Sequence, residues 1–297
     1  MVFAKIHALG NDFILIDRED WGDIPDINNF VWRVCDRHTG VGGDGLLLVS
    51  VADRAADRAD FRIFNADGTE PEISGNGLRC AAAYLFHKRK AAPPRVLFRT
   101  PSGDRECQLL SSSENHYEIR IEMGTPRLAS TDIPFDDGSY HETVIDYPLS
   151  INQEIHPVTV LSLGNPHCAL FVDRFPARIE WHQIGREIES HPFFPNRTNI
   201  EFVRVMSRDE IEVLFWERGV GETLASGSGA CGAAAAAILK GRTARKVTVR
   251  TSLGALIVDW DEGKNMIHQS GPAEVVFEGR LTAKMTGLTT PDLRIKR

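Results

Sequence analysis

Two serines, each at the start of an alanine-rich helical pattern, are the residues around which a binding site is predicted. Ser226 lies in FWERGVGETLASGSGACGAAAAA (residues 215–237), which passes from a strand-like segment through a glycine-rich turn into strong helix formers. A helix that begins at a serine among glycines leaves backbone N–H groups of its first turn without partners. These donors and the helix dipole favour a carboxylate or phosphate in front of the helix. Glu217 and Arg218, just upstream, add an acid and a cation to this half-site.

The first half of the chain carries a similar run, NADGTEPEISGNGLRCAAAYL, at residues 65–85. Ser74 and Ser226 occupy the same place in the two runs, and Asn65 and Glu217 precede their serines by the same distance. The segments LGNDF and LGNPH, at residues 9–13 and 163–167, repeat at nearly the same offset. Two matched pairs predict a duplicated domain. We expect one helix N-terminus from each half to face a common cleft, where small molecules tend to bind.

The elements that must position these runs are mostly strands. FAKIHAL and FILID (residues 3–9 and 13–17) read as strands around a Gly-Asn-Asp turn, and helical patterns cover residues 27–36, 77–90 and 182–190. Residues 125–150, rich in Pro, Asp and Ser, are expected to contain the crossing into the second half. Many strands with two central helices predict a mixed α+β architecture and not a βαβ sandwich.

Composition excludes several classes of function. A length of 297 residues suits two domains, and 42% hydrophobic residues fit a globular protein. A net charge of −7 argues against general affinity for nucleic acid. No apolar stretch is long enough to span a membrane, and the first residues lack the pattern of a signal peptide. Five cysteines without paired spacing indicate reduced thiols, as in the cytoplasm.

The common cofactor and metal motifs are not supported. Gly40-x-Gly42-x-x-Gly45 has dinucleotide-binding spacing but leads into a strand, and the similar pattern at residues 227–232 lacks the βαβ unit and the acidic residue that the motif requires. Neither serine lies in Gly-x-Ser-x-Gly, so a hydrolase nucleophile is not indicated. No His-Glu-x-x-His or Cys-x-x-Cys occurs, so no metal site is expected.

A dense series of motifs, from the first strand almost to the C-terminus, resembles the diaminopimelate epimerases, which are cofactor-independent amino-acid epimerases. The motifs are HALGNDF, DRHTGVGGDGLLLV, NADGTEPE, GNGLRC, SLGNPHC, TNIEFV, WERGVGET, GSGAC and SGPA. The resemblance implies two pseudo-symmetric domains, each a mixed, mostly antiparallel β-sheet or barrel wrapped around a central helix. Residues 1–126 with 272–297 would form the first domain, and residues 127–271 the second. It also implies a small-molecule substrate, diaminopimelate, in lysine and peptidoglycan precursor synthesis; a homodimer is one of the oligomeric states left open.

The resemblance also implies which residues contact the substrate. Arg218 would clamp the carboxylate far from the reaction, and the paired helix N-termini would hold the reacting carboxylate and stabilise developing charge. Glu217 and His167 would support the neighbouring base or the ammonium group. Position 44 is Asp where some members have Gln. The substrate-binding residues carried over are Asn11, Asp44, Asn65, Gly75, Asn76, Asn165, Asn199, Glu217, Arg218, Gly227 and Ser228.

The chain departs from the family at the two positions that carry the catalytic cysteines, because these are Ser74 and Ser226. A hydroxyl is a far weaker acid than a thiol, and the motifs show no adjacent base, so epimerisation is expected to be lost or impaired. Cys80 and Cys231 match positions outside the catalytic pair. The intact binding residues favour deliberate substitution, while a natural relative with altered chemistry is the other explanation. The alternative functions are a silent binder of a diamino-dicarboxylic acid and an epimerase of another amino acid.

Overall fold

The computed structural model describes residues 1–21, 24–53, 57–71, 74–101, 103–282 and 285. The chain folds into two compact units, one of residues 1–121 with 272–297 and the other of residues 122–271. Apart from residue 285, the part of the expected first domain from 283 to 297 lies outside the described residues.

The first part of the chain contains β1 (Val2–Ala8), β2 (Asn11–Asp17), α1 (Ile27–Cys35), β3 (Gly45–Asp53), β4 (Arg58–Asn65), α2 (Gly75–His87), β5 (Arg95–Thr100), β6 (Gly103–Ser113) and β7 (His116–Gly124). The remainder contains β8 (Val144–Ile151), β9 (Glu154–Ser162), β10 (Pro166–Phe171), α3 (Arg178–Glu189), β11 (Asn199–Ser207), β12 (Glu210–Glu217), β13 (Gly221–Thr223), α4 (Gly227–Leu239), β14 (Lys246–Thr251), β15 (Gly254–Asp261) and β16 (Met266–Arg280).

The first unit is a barrel around one buried helix. Its strands follow the order β1-β2-β3-β4-β5-β6-β7-β16, and β16 pairs back with β1 to close the barrel of eight strands. Helix α2 packs against β1, β2, β3, β4 and β6, and every residue from Gly75 to Phe86 is buried. The small residues Ala81–Ala83 have no exposed surface, which allows strands to approach the helix closely.

The second unit repeats this arrangement around α4. The order is β9-β10-β11-β12-β14-β15-β16, and its pairings are antiparallel, parallel, antiparallel, parallel, antiparallel and antiparallel, as from β1 to β7. Strand β8 extends the sheet beside β9, and β13 pairs with β12. Residues Ala233–Ala237 of α4 are completely buried. The α+β fold with pseudo-symmetric halves, predicted from the sequence, is confirmed.

Individual elements were predicted with errors at their ends. The helices expected at 77–90 and 182–190 begin earlier, at Gly75 and Arg178, and the helix expected at 27–36 ends one residue sooner. The segment 125–150, taken as a crossing, contains the start of β8. That strand lacks clean alternation because its register shifts between Val144 and Tyr147, where Asp146 has a φ of 52°. None of the helices in the described ranges is long and apolar enough to cross a membrane.

Candidate functional site

Ser226 caps the buried helix α4 in the second unit. Its hydroxyl accepts a hydrogen bond from the backbone N–H of Gly229 at 3.2 Å, and only 4% of the residue is exposed. The preceding hairpin of β12 and β13 turns through Gly219 and Gly221, whose φ angles of 77° and 92° favour glycine. The glycine-rich run therefore makes a sharp turn and then presents the first turn of α4, as its sequence predicts.

The carboxylate of Glu217 lies directly against this serine. Ser226 Oγ donates to Glu217 Oε2 at 3.1 Å, and Thr223 Oγ1 donates to Glu217 Oε1 at 2.6 Å. Burial raises the pKa of Glu217, while these two hydrogen bonds and the nearby His167 act to lower it. The expectation that no base adjoins the serines is therefore wrong for Ser226: a carboxylate is hydrogen-bonded to its hydroxyl.

His167 links a buried acid to an asparagine beside α4. Its Nδ1 lies 2.7 Å from Glu201 Oε1, and its Nε2 lies 3.0 Å from Asn165 Oδ1. The amide nitrogen of Asn165 donates to Ser228 Oγ at 3.4 Å. Burial raises the pKa of Glu201, which the charge and hydrogen bond of His167 oppose. Sequence reasoning missed Glu201, although a lone acid inside the apolar strand TNIEFV was a signal for it.

Asn199 holds backbone segments together. Its Nδ2 donates to the carbonyl of Pro166 at 2.8 Å, and its Oδ1 accepts from the backbone N–H of Arg218 at 3.0 Å. The guanidinium of Arg218 is partly exposed and donates to the carbonyl of Asn196 at 3.2 Å. Asn199 thus joins the start of β10 to the turn after β12.

The first unit contains the corresponding arrangement at α2. Ser74, partly buried, accepts from the backbone N–H of Gly77 at 3.0 Å. Asn76 receives a hydrogen bond from the fully buried Arg79 at 2.5 Å and donates to Asn11 Oδ1 at 3.1 Å. These contacts bring Asn11 and Asn76 together beside the start of the helix.

Asp44 orients Asn11. It accepts from Asn11 Nδ2 at 2.8 Å, from the backbone N–H of Asp12 at 3.1 Å and from Arg37 at 2.8 Å. Burial would raise the pKa of Asp12, but hydrogen bonds from Arg37 and Lys5 outweigh it and lower that pKa to about 2. Both carboxylates of this network are therefore engaged by donors of the same unit.

Asn65 is placed differently from its counterpart Glu217. Its side chain donates to Thr69 Oγ1 at 2.9 Å and its backbone N–H to the carbonyl of Thr69 at 2.8 Å, which builds the turn after β4. Within the described ranges no hydrogen bond joins Asn65 to Ser74. The first half-site thus has an exposed amide where the second has a carboxylate bonded to its serine.

The remaining thiols do not replace the missing ones. All five cysteines are buried thiols outside any disulfide. Burial raises the pKa of Cys80 well above its usual range, raises that of Cys35 to about 12 and also raises that of Cys168. Thiols of this kind do not supply a thiolate near neutral pH. In the part of the chain that the structure describes, no group of three or more His, Cys, Asp or Glu side chains could hold a metal ion.

Solved structures of epimerases share this fold. A predicted epimerase of Pseudomonas aeruginosa superimposes with a TM-score of 0.66 at 16% identity, covering 94% of this chain and 98% of that one. A hydroxyproline epimerase of Agrobacterium vitis gives a TM-score of 0.67 at 14% identity, covering 94% and 91%. At these identities the likeness concerns the fold.

Sequence comparison shows which family the chain belongs to. The profile of the family described as Diaminopimelate epimerase matches residues 3–129 and 159–276. A diaminopimelate epimerase of Pelotomaculum thermopropionicum is 42% identical over 280 residues, covering 94% of this chain and 98% of that protein. A diaminopimelate epimerase of Heliobacterium modesticaldum is 40% identical over 295 residues, covering 95% and 99%. The protein is thus an isomerase of the amino-acid epimerase class, and the chain belongs to the diaminopimelate epimerase family.

Proposed function

We propose that this chain takes diaminopimelate and acts on its α-carbon by proton transfer, interconverting the LL and meso isomers, with impaired turnover because serines replace both thiols. The observation that carries the proposal is the matched pair of half-sites. In each, a serine caps a buried helix, and an asparagine contacts the side chain two positions after that serine; Asn11 begins β2, and Asn165 directly precedes β10. This repeated unit supplies donors for a carboxylate once in each half of the protein.

The donors suit an amino-acid carboxylate. The first turn of each helix presents backbone N–H groups outside the helical ladder, and the dipole adds favourable potential for an anion. Asn165 and Ser228 at α4, and Asn11 and Asn76 at α2, place amides and a hydroxyl beside those groups. Donors fixed in advance stabilise the charge that develops when the α-carbon loses its proton.

The distal carboxylate is assigned to Arg218. Its backbone is fixed by Asn199, and its guanidinium can form a paired interaction with a carboxylate. A substrate without a second carboxylate would leave that cation unpaired. This favours a dicarboxylic amino acid over the alternative of an epimerase for another amino acid.

The second candidate, a silent binder, is favoured by Ser74. No carboxylate among the described residues is hydrogen-bonded to its hydroxyl, so the first half-site lacks a visible means of activating it. Ser226 differs, because its proton can pass to Glu217 as the hydroxyl oxygen takes the α-proton. We therefore expect slow exchange through Ser226 and Glu217, and no efficient two-sided epimerisation.

The test is α-proton exchange into deuterated water from LL- and meso-diaminopimelate. The parent chain is compared with Ser74→Cys, Ser226→Cys and the double variant. The proposal expects slow exchange at one configuration in the parent and rapid exchange with epimerisation in the double variant. Binding of diaminopimelate without any exchange in the parent would support the silent binder. Failure of the double variant to bind or exchange diaminopimelate would refute the substrate assignment.

A further inference from the structure

We propose that Glu201 is a positioning residue: acting through His167, it fixes which end of the Asn165 amide faces the N-terminus of α4. This half-site then presents N–H donors to an anion. The inference about the ligand rests on the proposed function, whereas the inference about the proton on His167 does not.

The contacts form an unbroken line from the interior to the helix. Glu201 and His167 lie on the parallel strands β11 and β10, and each is 1% exposed. His167 has one ring nitrogen on Glu201 and the other on Asn165, at 2.7 and 3.0 Å. A Cβ at Gly232 of α4 would lie 2.7 Å from the ring carbon Cγ, so the helix packs tightly against the ring. The imidazole is therefore held in place.

The hydrogen bonds determine where the ring proton lies. Asn165 Oδ1 can only accept, so His167 Nε2 must carry a proton. Nδ1 faces Glu201 and has two compatible states: it donates to an ionised carboxylate, or it accepts from a protonated one. A protonated Glu201 leaves a neutral ring with its one proton on Nε2, and an ionised Glu201 pairs with an imidazolium that carries protons on both nitrogens, so in each state the ring that Glu201 holds donates to Asn165.

The Nε2 proton and the orientation of Asn165 support each other. With Oδ1 engaged by His167, the amide nitrogen lies towards Ser228 and uses one hydrogen there. Its second hydrogen stays available beside the backbone N–H groups at the start of α4. If Nε2 lost its proton, its lone pair would repel Oδ1. The amide would then turn and present an acceptor to the incoming carboxylate.

Stability alone does not account for the acid at this position. Glu201 Oε2 is buried and has no hydrogen-bond partner within the described part of the chain. Burial raises the pKa of this carboxyl, which reflects the cost of holding charge there. Ionisable groups kept in such surroundings next to ligand-binding side chains are candidates for a functional role.

The first test is the protonation of His167, read by NMR of 15N-labelled histidine and assigned with His167→Gln. The parent is expected to carry a proton on Nε2. Glu201→Gln is expected to retain it, because the glutamine amide donates to Nδ1. Glu201→Leu leaves Nδ1 without its partner, so only the Asn165 amide, which can turn, holds the proton on Nε2, and we expect the proton to be distributed over both ring nitrogens. Asp137→Asn, which removes the acid bound to His141 in the same unit, serves as the control and leaves the His167 signals unchanged.

The second test is calorimetric binding of diaminopimelate to the same folded proteins. Glu201→Leu is expected to weaken binding by about tenfold or more, as for withdrawal of a hydrogen bond to a charged group, while Glu201→Gln restores affinity to within about threefold. Unaltered affinity in Glu201→Leu despite a moved proton would overturn the inference.

The two arms separate the inference from the proposed function. If the parent does not bind diaminopimelate, the substrate assignment fails, and the NMR arm still decides the role of Glu201. An unprotonated Nε2 in the parent, or a proton on Nδ1 in Glu201→Gln, overturns the inference. The measurement on Glu201→Gln can be made even if Glu201→Leu does not fold.

Discussion

Replacing the two capping serines by alanine is expected to cost unequal amounts of stability. Ser74 and Ser226 each accept from the backbone N–H three residues on, at 3.0 and 3.2 Å, and losing such a cap costs about 1 kcal/mol. Ser226 also donates to the partly buried carboxylate of Glu217 at 3.1 Å. A hydrogen bond to a charged group contributes about 1.5–3 kcal/mol. We expect Ser74→Ala to lose about 1 kcal/mol and Ser226→Ala to lose about 3 kcal/mol.

Urea unfolding at neutral pH measures both losses, and a double-mutant cycle isolates the contact. The cycle uses Ser226→Ala, Glu217→Gln and their combination, with Ser74→Ala as the matched cap control. The cycle should give a coupling free energy of about 1 kcal/mol or more, because the two side chains touch. Equal losses for the two serines, together with additive effects in the cycle, would refute the hydrogen bond as a contributor to stability.

Three further predictions follow from the same contacts. Burial raises the pKa of Glu217, so its contribution to stability is greatest when it is protonated and falls as pH rises through its folded pKa. The urea midpoint of Glu217→Gln should therefore rise relative to that of the parent as pH increases above the unfolded pKa of about 4.3. Gly232→Ala should lower the free energy of unfolding by about 1–2 kcal/mol in urea, because the clash of the new Cβ with the ring of His167 costs more than the higher helix propensity of alanine contributes. Unchanged stability would contradict the tight packing of α4 against this ring. Ser74→Cys should introduce one thiol that reacts rapidly with a disulfide reagent in the folded protein, whereas buried thiols such as Cys80 react only on unfolding; rapid labelling of the parent would contradict their burial.

The fold could be predicted from the sequence because the repeated segments consist of residues with strong preferences for particular backbone conformations. Serine before glycine and an alanine run specify a capped helix that can be buried on all sides, and both α2 and α4 are such helices. The ends of elements were less accessible. Helix α3 begins at Arg178 without a side-chain cap, so no residue type marks its start. Strand β8 was missed because a shift in register breaks the alternation by which strands are recognised.

The sequence predicts positions for the site but not the contacts that their side chains make. The motif resemblance predicts that Asp44 and Asn199 bind substrate, whereas their observed contacts are within the protein: Asp44 orients Asn11, and Asn199 joins two backbone segments. Glu201 was missed because its partner is brought beside it only by the parallel pairing of β10 and β11, more than thirty residues away along the chain. Contacts of that kind depend on register, which a single sequence does not contain.

The two units have similar backbones but different side chains at equivalent positions. Asn11 and Asn165 hold equivalent places in the repeat. In the first unit Asn11 accepts a hydrogen bond from Asn76, whereas in the second unit Asn165 donates one to Ser228. The position nine residues before the capping serine carries an amide in the first unit and, at Glu217, a carboxylate in the second. Proton transfer by two groups requires one to begin as base and the other as acid, so identical half-sites would not distinguish them. Under the proposed function, the carboxylate beside Ser226 makes the second half-site the expected base, so loss of slow α-proton exchange in Glu217→Gln is the result that this reasoning expects.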